Sequence, residues 1–243
     1  MSGVQPRVIY VTNTGLPEWA NVIAVFDTET TGIAPETTRI VSAHVSVLNP
    51  YGEVEDPTNW LIDCGIDIPE QATAVHGITT ERMRAEGAPA ADSIYEILTK
   101  IQGFLSAGIG VVAYNAAYDF TILDREAKRY GFDPLDVPAP IIDPLIIDKQ
   151  VDKYRKGKRT LEAAAAHYGV ALTDAHDASA DAIAAGRVAQ AIGKKYAADL
   201  AYPARELHDL QVTWAKEQAE SYATWRRSQN LPVYPGDGLW PVR

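Results

Sequence analysis

The sequence predicts an α/β fold in which a mixed β-sheet is flanked by helices. Residues 22–26 (VIAVF) form a continuous apolar run, which is typical of a strand buried on both faces and therefore central in a sheet. The order of elements, βββ-α-β-α-β-α-α, combines an antiparallel start with later crossover connections. With 243 residues, 47% of them hydrophobic and 22% charged, the chain can bury one sizeable core.

The remaining strands are predicted from residue type and turn signals. Residues 39–48 are rich in β-branched side chains, and residues 54–64 form a third strand that we expect to be interrupted at residues 56–57 (Asp-Pro). A Tyr-Gly pair at residues 51–52 indicates a hairpin-like turn between them. Two short strands are predicted further along the chain, at residues 109–114 and 141–142.

Helical spacing of apolar residues and helix-end signals predict five helices. In the first, apolar residues recur at helical spacing from Ile94 to Leu105. Asn115 is expected to cap the second helix and Gly131 to end it. The predicted helices span residues 90–106, 115–130, 160–168, 177–198 and 204–229.

Charge and cysteine content restrict the class of protein. The formal net charge of −10 argues against non-specific wrapping of nucleic acid, although a local basic cleft remains compatible with it. The single cysteine, Cys64, cannot form an internal disulfide, which favours a reducing, cytoplasmic location. No apolar stretch approaches about 18 residues, so no transmembrane helix is expected. The first 15 residues lack the pattern of a signal peptide.

The first candidate motif is Asp27-Thr28-Glu29 at the end of the central strand. Side chains at positions i and i+2 of a strand point to the same face, so Asp27 and Glu29 are expected side by side. Two like charges there are unfavourable unless a cation neutralises them. A polar strand exit followed by a turn at Gly32 is the alternative interpretation, and this motif alone does not decide between them.

Two further acidic positions fall at predicted helix starts. Asp119 lies in the first turn of the helix after Asn115, where the helix dipole stabilises an anion. Asp177 is a candidate N-cap, which places Asp181 near the start of the next helix and His176 on the loop before it. Taken singly, Asp119 is better explained as an ordinary acidic residue that favours a helix start, and His176 as a surface histidine beside a capped helix.

Together and in this order, the three segments resemble the DnaQ-like family of 3′–5′ exonucleases, in the group with four acidic residues and a histidine. The family pattern is Asp-x-Glu, then Asn-x-x-x-Asp, then His-x-x-x-x-Asp. The matching positions are Asp27, Glu29, Asp119, His176 and Asp181. Residues 75–79 (VHGIT) and 159–170 also resemble family segments, and the resemblance extends over residues 22–191. Within the family, the chain resembles the proofreading subunits of bacterial DNA polymerase III.

The resemblance implies a ribonuclease H-like fold, two divalent metal ions and hydrolysis of terminal phosphodiesters to nucleoside monophosphates. Carboxylate ligands select Mg²⁺ or Mn²⁺ over Zn²⁺. By resemblance, Asp27 bridges the two ions, Glu29 and Asp181 bind the ion beside the nucleophile, and Asp119 supports the other through water. His176 is then the general base, because a histidine can accept a proton near neutral pH.

Substrate contacts are predicted at four further positions. His76 is expected in the terminal-nucleotide pocket, with a locally bonded loop histidine as the alternative. Thr28 is expected to offer its backbone N–H to the terminal sugar. Residues 149–159 form the one dense basic stretch, in which Lys156 and Lys158 are expected to bind the substrate backbone; a solvated surface is the alternative.

The predicted organisation is an N-terminal segment of residues 1–20, an exonuclease domain of residues 21–200 and a C-terminal helix and tail of residues 201–243. That helix carries an apolar stripe expected to pack on the core, with a partner surface as the alternative: Leu207, Leu210, Trp214, Tyr222 and Trp225. The leading function is a DNA-directed exonuclease, freestanding or bound to a DNA polymerase. An RNA-directed exonuclease and a non-catalytic, metal-binding polymerase subunit are the alternatives.

Overall fold

A computed structural model describes residues 14–135, 138–172, 176–233 and 238–243 of the chain. In this part of the chain, six strands form one mixed sheet that is flanked by eight helices, so the predicted α/β class is confirmed. The strands are β1 (Ile23–Thr30), β2 (Ile40–Leu48), β3 (Val54–Asp63), β4 (Ala88–Pro89), β5 (Gly110–Val112) and β6 (Ile141–Ile142). The helices are α1 (Glu70–His76), α2 (Thr80–Glu86), α3 (Ala90–Ser106), α4 (Ala117–Arg129), α5 (Pro144–Val151), α6 (Leu161–Tyr168), α7 (Ala178–Lys195) and α8 (Ala204–Ser228).

The sheet has the strand order β4-β3-β2-β1-β5-β6. Strand β1 is central, as predicted; it pairs antiparallel with β2 and parallel with β5. Strand β2 pairs antiparallel with β3, and β5 pairs parallel with β6. Strand β1 therefore joins the antiparallel strands β2 and β3 on one side to the parallel strands β5 and β6 on the other.

The two faces of β1 enter two separate cores. Ala24 and Phe26 pack in a cluster that includes residues of α3 and α4. Ile23 and Val25 pack in a second cluster with residues of α5, α6 and α7. Successive strand residues alternate between the two faces of the sheet. The continuous apolar run is therefore buried on both faces, one in each cluster.

Helix α7 approaches β1 closely at Gly186. A Cβ atom at this position would lie 2.4 Å from Cγ1 of Val25 and 2.5 Å from Cδ1 of Leu48. Only glycine permits this spacing without repacking the strand side chains. The close contact brings the first turn of α7, which carries Asp181, over the end of β1.

Several predicted elements differ from the structure. Strand β1 continues to Thr30, four residues beyond the predicted end, so the acidic motif lies within the strand. Strand β3 is not interrupted at Asp56-Pro57; the register shifts there opposite β2, and Asp56 has a φ of 49°. Proline is tolerated because β4 pairs only with Ile62 and Asp63, which leaves the first half of β3 at the sheet edge.

Helices α1, α2 and α5 were not predicted, since each is at most eight residues long and too short to show a clear apolar period.

The predicted cap of α4 is wrong. The side chain of Asn115 does not cap the helix; Asn115 has a φ of 63°, and the N-cap position is Ala116. The carboxylate of Asp143 instead accepts hydrogen bonds from the backbone N–H groups of Asn115 and Ala116, at 3.0 and 2.9 Å. A residue at the start of α5 therefore fixes the start of α4.

Helix α8 covers the edge of the sheet at β6. His208 Nδ1 accepts the backbone N–H of Ile141 at 3.1 Å, and the Gln211 amide donates to the carbonyl of Ile141 at 3.2 Å. These buried side chains replace the missing neighbouring strand. The predicted apolar stripe packs only in its first part: Leu207 is buried, whereas Tyr222 and Trp225 are each 51% exposed. No helix among the described residues is long and apolar enough to cross a membrane.

A buried ion-pair network fixes the loop between α5 and α6. Asp148 is fully buried and accepts hydrogen bonds from Arg155 Nη2, Arg159 Nη1 and the Tyr168 hydroxyl, at 2.7, 2.6 and 2.6 Å. Arg159 also donates to the backbone carbonyl of Asp152. Two members of the predicted basic stretch are therefore structural side chains.

Replacing Asp148 with Ala is expected to lower the free energy of unfolding by about 3–5 kcal/mol, because two guanidinium groups would remain buried without their partner. Urea denaturation measures this change. The exposed Asp199 provides a control, and its replacement with Ala should change stability by less than about 0.5 kcal/mol. A loss below about 1 kcal/mol for Asp148→Ala would contradict the role of this network.

Candidate active site

Three carboxylates converge at the end of β1. One ligand atom from each of Asp27, Glu29 and Asp181 lies within 4.8 Å of the others, and all three residues are partly exposed. Asp27 and Glu29 share the strand face that packs against α7, as their spacing predicts, and Asp181 lies in the first turn of that helix. This arrangement can hold a metal ion.

The start of α7 places Asp181 and His176 beside each other. The Asp177 carboxylate caps the helix by accepting the backbone N–H groups of Ser179 and Ala180, at 3.0 and 3.1 Å, as predicted. His176 lies just before this cap with a φ of 72°, and its backbone N–H donates to Asp181 Oδ2 at 3.2 Å. The other oxygen, Asp181 Oδ1, is buried without a hydrogen-bond partner in the described part of the chain. A buried oxygen without a donor is compatible with a cation ligand.

The fourth acidic residue, Asp119, approaches from the opposite face of β1. It lies in the first turn of α4 and is only 3% exposed. The Thr28 hydroxyl donates to Asp119 Oδ1 at 2.7 Å. Because Thr28 points away from the face of Asp27 and Glu29, this bond holds Asp119 on the other side of the strand. The structure therefore shows Thr28 positioning Asp119, whereas its contact with a substrate sugar remains a prediction.

The cluster is electrostatically unfavourable without a cation. Desolvation by the surrounding protein raises the pKa of Asp27 well above its ordinary value, and the charges of Asp119 and Glu29 add to the increase. Desolvation, with the charges of Asp181 and Asp119, raises the pKa of Glu29 to about 8. Burial raises the pKa of Asp119 to about 7, against the opposing effect of the Thr28 hydrogen bond. Carboxylates with raised pKa values and an unpaired oxygen fit a site for a divalent cation.

Without divalent metal, the protein is expected to become less stable as the pH rises from about 5 to about 8. The folded state keeps protons on Glu29 and Asp119 up to pH values of about 8 and 7. The unfolded chain loses those protons near the ordinary carboxyl pKa of about 4, so it binds fewer protons in this range and the free energy of unfolding falls. Urea denaturation in a chelator at several pH values measures this slope.

Two comparisons test the cause of that slope. Adding Mg²⁺ or Mn²⁺ should stabilise the protein most at the alkaline end, since the ion binds the ionised cluster. Asp119→Asn should reduce the slope, because one of the raised pKa values is removed while the amide oxygen can still accept from Thr28. A slope that is unchanged in Asp119→Asn would contradict the pKa assigned to that residue.

The His176 side chain lies next to the acidic cluster and contacts α6. Its Nε2 atom is 4.0 Å from Oε1 of Glu162, and both side chains are about half-exposed. Glu162 follows the N-cap of α6, Thr160. The imidazole is therefore accessible at the surface of the site and faces a carboxylate that the sequence analysis did not select.

His76 lies at the same end of the molecule, at the last position of α1. Its Nδ1 atom accepts the backbone N–H of Ile78 at 3.1 Å. Burial lowers the pKa of His76, the nearby backbone carbonyl of Thr30 opposes this effect, and the charge of His176 adds to it. The local hydrogen bond and the proximity to His176 are both present, so the structure agrees with each of the two interpretations of His76.

The basic stretch divides into two groups. Arg155 and Arg159 are paired with the buried Asp148, as described above. Lys156 and Lys158 are exposed. Hydrogen bonds from Thr160 and from the helix backbone lower the pKa of the Glu162 carboxyl. The positive charge of Lys158 adds to this decrease, so Lys158 lies near Glu162. Since Glu162 contacts His176, Lys158 lies at the rim of the candidate site.

Neutralising Lys156 and Lys158 together by substitution with Gln is expected to weaken binding of single strands of any sequence. The slope of log affinity against log salt should decrease by about 1.4, because each phosphate contact on a single strand contributes about 0.7. Fluorescence anisotropy at several salt concentrations measures the slope. The exposed Lys194, at the far end of α7, is a control, and Lys194→Gln should leave the slope unchanged. An unchanged slope in the double variant would assign the two lysines to a solvated surface.

Sequence reasoning missed three residues that organise the site. Asp143 holds the start of α4, Glu162 faces His176, and Tyr118 donates its hydroxyl to the carbonyl of Gly32 at 2.6 Å, which ties α4 to the turn after β1. Only Asp143 carries a local signal: an aspartate directly before proline is typical of a helix start. The other two act across elements far apart in the chain.

The fold and the acidic cluster together define a class of protein. Residues 24–189 match the family model of exonucleases, and the chain belongs to this family. A DNA polymerase III subunit epsilon-like protein from Rhodobacter capsulatus is 33% identical over 66% of this chain and 22% of that protein. A PolC-type DNA polymerase III from Lacticaseibacillus paracasei is 29% identical over 71% of this chain and 11% of that protein. The chain thus spans at most about a fifth of these curated relatives.

Solved structures of exonuclease I share the fold. E. coli exonuclease I in complex with a dA16 oligonucleotide has a TM-score of 0.64 and 19% identity, covering 84% of this chain and 45% of that chain. The exonuclease I of Methylocaldum szegediense has a TM-score of 0.62 and 19% identity, covering 84% of this chain and 45% of that chain. The predicted ribonuclease H-like fold is confirmed by these similarities. The boundaries predicted for the three segments of the chain remain a prediction.

Proposed function

We propose that this chain is a 3′–5′ exonuclease that hydrolyses the terminal phosphodiester of single-stranded DNA and releases nucleoside monophosphates. The convergence of Asp27, Glu29 and Asp181 at the end of β1 is the observation that carries the proposal. Membership of the exonuclease family supports the reaction class. The DNA polymerase III names of the curated relatives support DNA as the substrate and a polymerase as a partner.

The carboxylates would hold two divalent ions. One ion would be bound by Asp27, Glu29 and Asp181. The other would be held by Asp27 and Asp119. Hard oxygen ligands favour Mg²⁺ or Mn²⁺. When bound, such ions stabilise negative charge on the reacting phosphate and make water more acidic. Thr28 keeps Asp119 oriented toward the cluster through its hydroxyl.

His176 would act as the general base. In this role Nε2 accepts the proton of the attacking water, and the half-exposed imidazole has direct access to the site. Oε1 of Glu162 lies 4.0 Å from this Nε2 atom, so the carboxylate faces the imidazole that receives the proton. The backbone N–H of His176 donates to the carboxylate of Asp181. This bond holds the residue that carries the proton acceptor next to a proposed metal ligand.

The substrate would approach across the same edge of the sheet. His76 would contact the terminal nucleotide, and Lys156 and Lys158 would attract the phosphates from the rim. Thr28 would offer its backbone to the terminal sugar. These assignments are supported by the proximity of His76 to His176 and of Lys158 to Glu162.

Digestion of 5′-labelled single-stranded DNA and RNA of equal sequence, with Mg²⁺ or Mn²⁺, tests the proposal. Removal of nucleotides from the 3′ end produces a ladder of progressively shorter labelled strands, whereas attack from the 5′ end releases the labelled mononucleotide first. Faster degradation of RNA would assign the enzyme to RNA instead of DNA. Absence of cleavage with either metal would favour a non-catalytic metal-binding subunit.

A further inference from the structure

A cavity of about 280 Å³ lies between the start of α4, helix α5, helix α8 and the tail of residues 238–243. Its lining combines aliphatic side chains, such as Ile146 and Leu239, with polar, charged and aromatic ones. The polar, charged and aromatic members include Asn115, Asp143, Lys149, Tyr222, Trp240 and Arg243. None of them belongs to the acidic cluster or to the substrate contacts proposed above.

The cavity adjoins the candidate active site through the start of α4. Asn115 and Ala117 line its wall, and Asp119 follows two residues later in the same first turn. Asp143, also in the wall, holds this turn through two backbone hydrogen bonds. The first turn of α4 therefore contributes Ala117 to the cavity wall and Asp119 to the candidate active site.

The chemistry of the cavity fits an anion that can also accept a hydrogen bond. Lys149 and Arg243 contribute two positive charges. Among the described residues, Asp143 is the one acidic side chain in the lining, and it already accepts backbone N–H groups, including that of Leu145 at 2.9 Å. Trp240 is only 7% exposed, and its indole N–H has no acceptor within the described residues. A buried donor without a partner, beside two cations, indicates a missing acceptor group.

Aromatic surface at the rim of the cavity fits a base. Tyr222 lines the cavity, and its ring stacks on Trp225 with centroids 5.5 Å apart and an interplanar angle of 16°. Both rings are about half-exposed, whereas Leu207 near the start of α8 is buried. Exposed aromatic rings next to positive charge are typical of single-strand binding, where bases stack on the rings.

We propose that this cavity is a second nucleotide site, which takes a nucleotide unit of the substrate strand upstream of the one being removed. Its phosphate would lie at Lys149 and Arg243, and its base at the Tyr222–Trp225 pair. The inference rests on the proposed exonuclease function and adds a subsite to it. The same chemistry would accept a free nucleoside monophosphate, so the test separates a strand from a free nucleotide.

The test compares substrates that can and cannot reach the cavity. The p-nitrophenyl ester of thymidine monophosphate occupies only the terminal site, whereas strands of two to eight nucleotides extend beyond it. For the natural sequence, kcat/KM should rise with strand length and then level off. In Tyr222→Leu and Lys149→Gln, the ratio of kcat/KM for the longest strand to that for the ester should fall by about tenfold. Tyr51→Leu and Lys194→Gln, at exposed positions on another face, should keep the ratio.

Each outcome separates this inference from the proposed function. If the natural sequence cleaves neither the ester nor the strands, the exonuclease function itself is wrong. If it cleaves both and the variants keep the full length dependence, the second site is wrong. If the variants lose calorimetric binding of free thymidine monophosphate and still keep the length dependence, the cavity binds a free nucleotide and the assignment to the strand is overturned.

Discussion

Asp27→Asn is expected to reduce cleavage of single-stranded DNA by at least about 10³-fold. Asp27 is the carboxylate proposed to serve both metal ions, and loss of about 4 kcal/mol of transition-state stabilisation corresponds to this factor. Asparagine is nearly isosteric, so the fold should persist. In a chelator, the variant should be at least as stable as the natural sequence at pH 8, because an unfavourable charge beside Glu29 and Asp119 is removed.

Single-turnover cleavage and thermal melting, with and without Mg²⁺, test both parts of this prediction. The stabilisation by Mg²⁺ should be lost in Asp27→Asn and kept in Asp199→Asn, whose side chain is exposed outside the site. Cleavage within tenfold of the natural sequence would remove Asp27 from the metal centre. A variant that is destabilised in the chelator would contradict the electrostatic description of the cluster.

Local sequence patterns were sufficient for the parts of the site that lie within one element. The two-residue period of a strand places Asp27 and Glu29 on one face, and the structure has their ligand atoms together. The capping pattern at Asp177 placed Asp181 in the first turn of α7. In each case the residues that fix the geometry are neighbours in the chain, so short-range rules apply.

Contacts between distant elements could not be predicted in this way. The bond from Thr28 to Asp119 joins residues 91 positions apart, and that from the Ala116 N–H to Asp143 joins residues 27 positions apart. The expectation that Asn115 caps α4 failed because a carboxylate from another helix supplies the hydrogen bonds. The prediction that the apolar stripe of α8 packs on the core was only half correct, for the same reason. Leu207 packs where α8 crosses the edge of the sheet, and the helix extends beyond that edge before Tyr222.

His176 is proposed to accept a proton and not to bind a metal ion. His176→Ala is expected to reduce the single-turnover rate by about 10²–10⁴-fold, the usual contribution of a general base. Stabilisation by Mg²⁺ and affinity for an oligonucleotide should stay close to those of the natural sequence, since Asp27, Glu29 and Asp181 are retained. The backbone N–H that donates to Asp181 is also retained in alanine.

His167→Ala is the matched control, because His167 lies on α6 near Asp152 and outside the acidic cluster. Its rate should remain within about twofold of the natural sequence. Glu162→Gln should lower the rate less than His176→Ala does, since Glu162 acts only through the imidazole that it faces at 4.0 Å. A rate for His176→Ala within a few-fold of the natural sequence would remove His176 from the mechanism. Loss of Mg²⁺ stabilisation in the same variant would instead place its imidazole among the metal ligands.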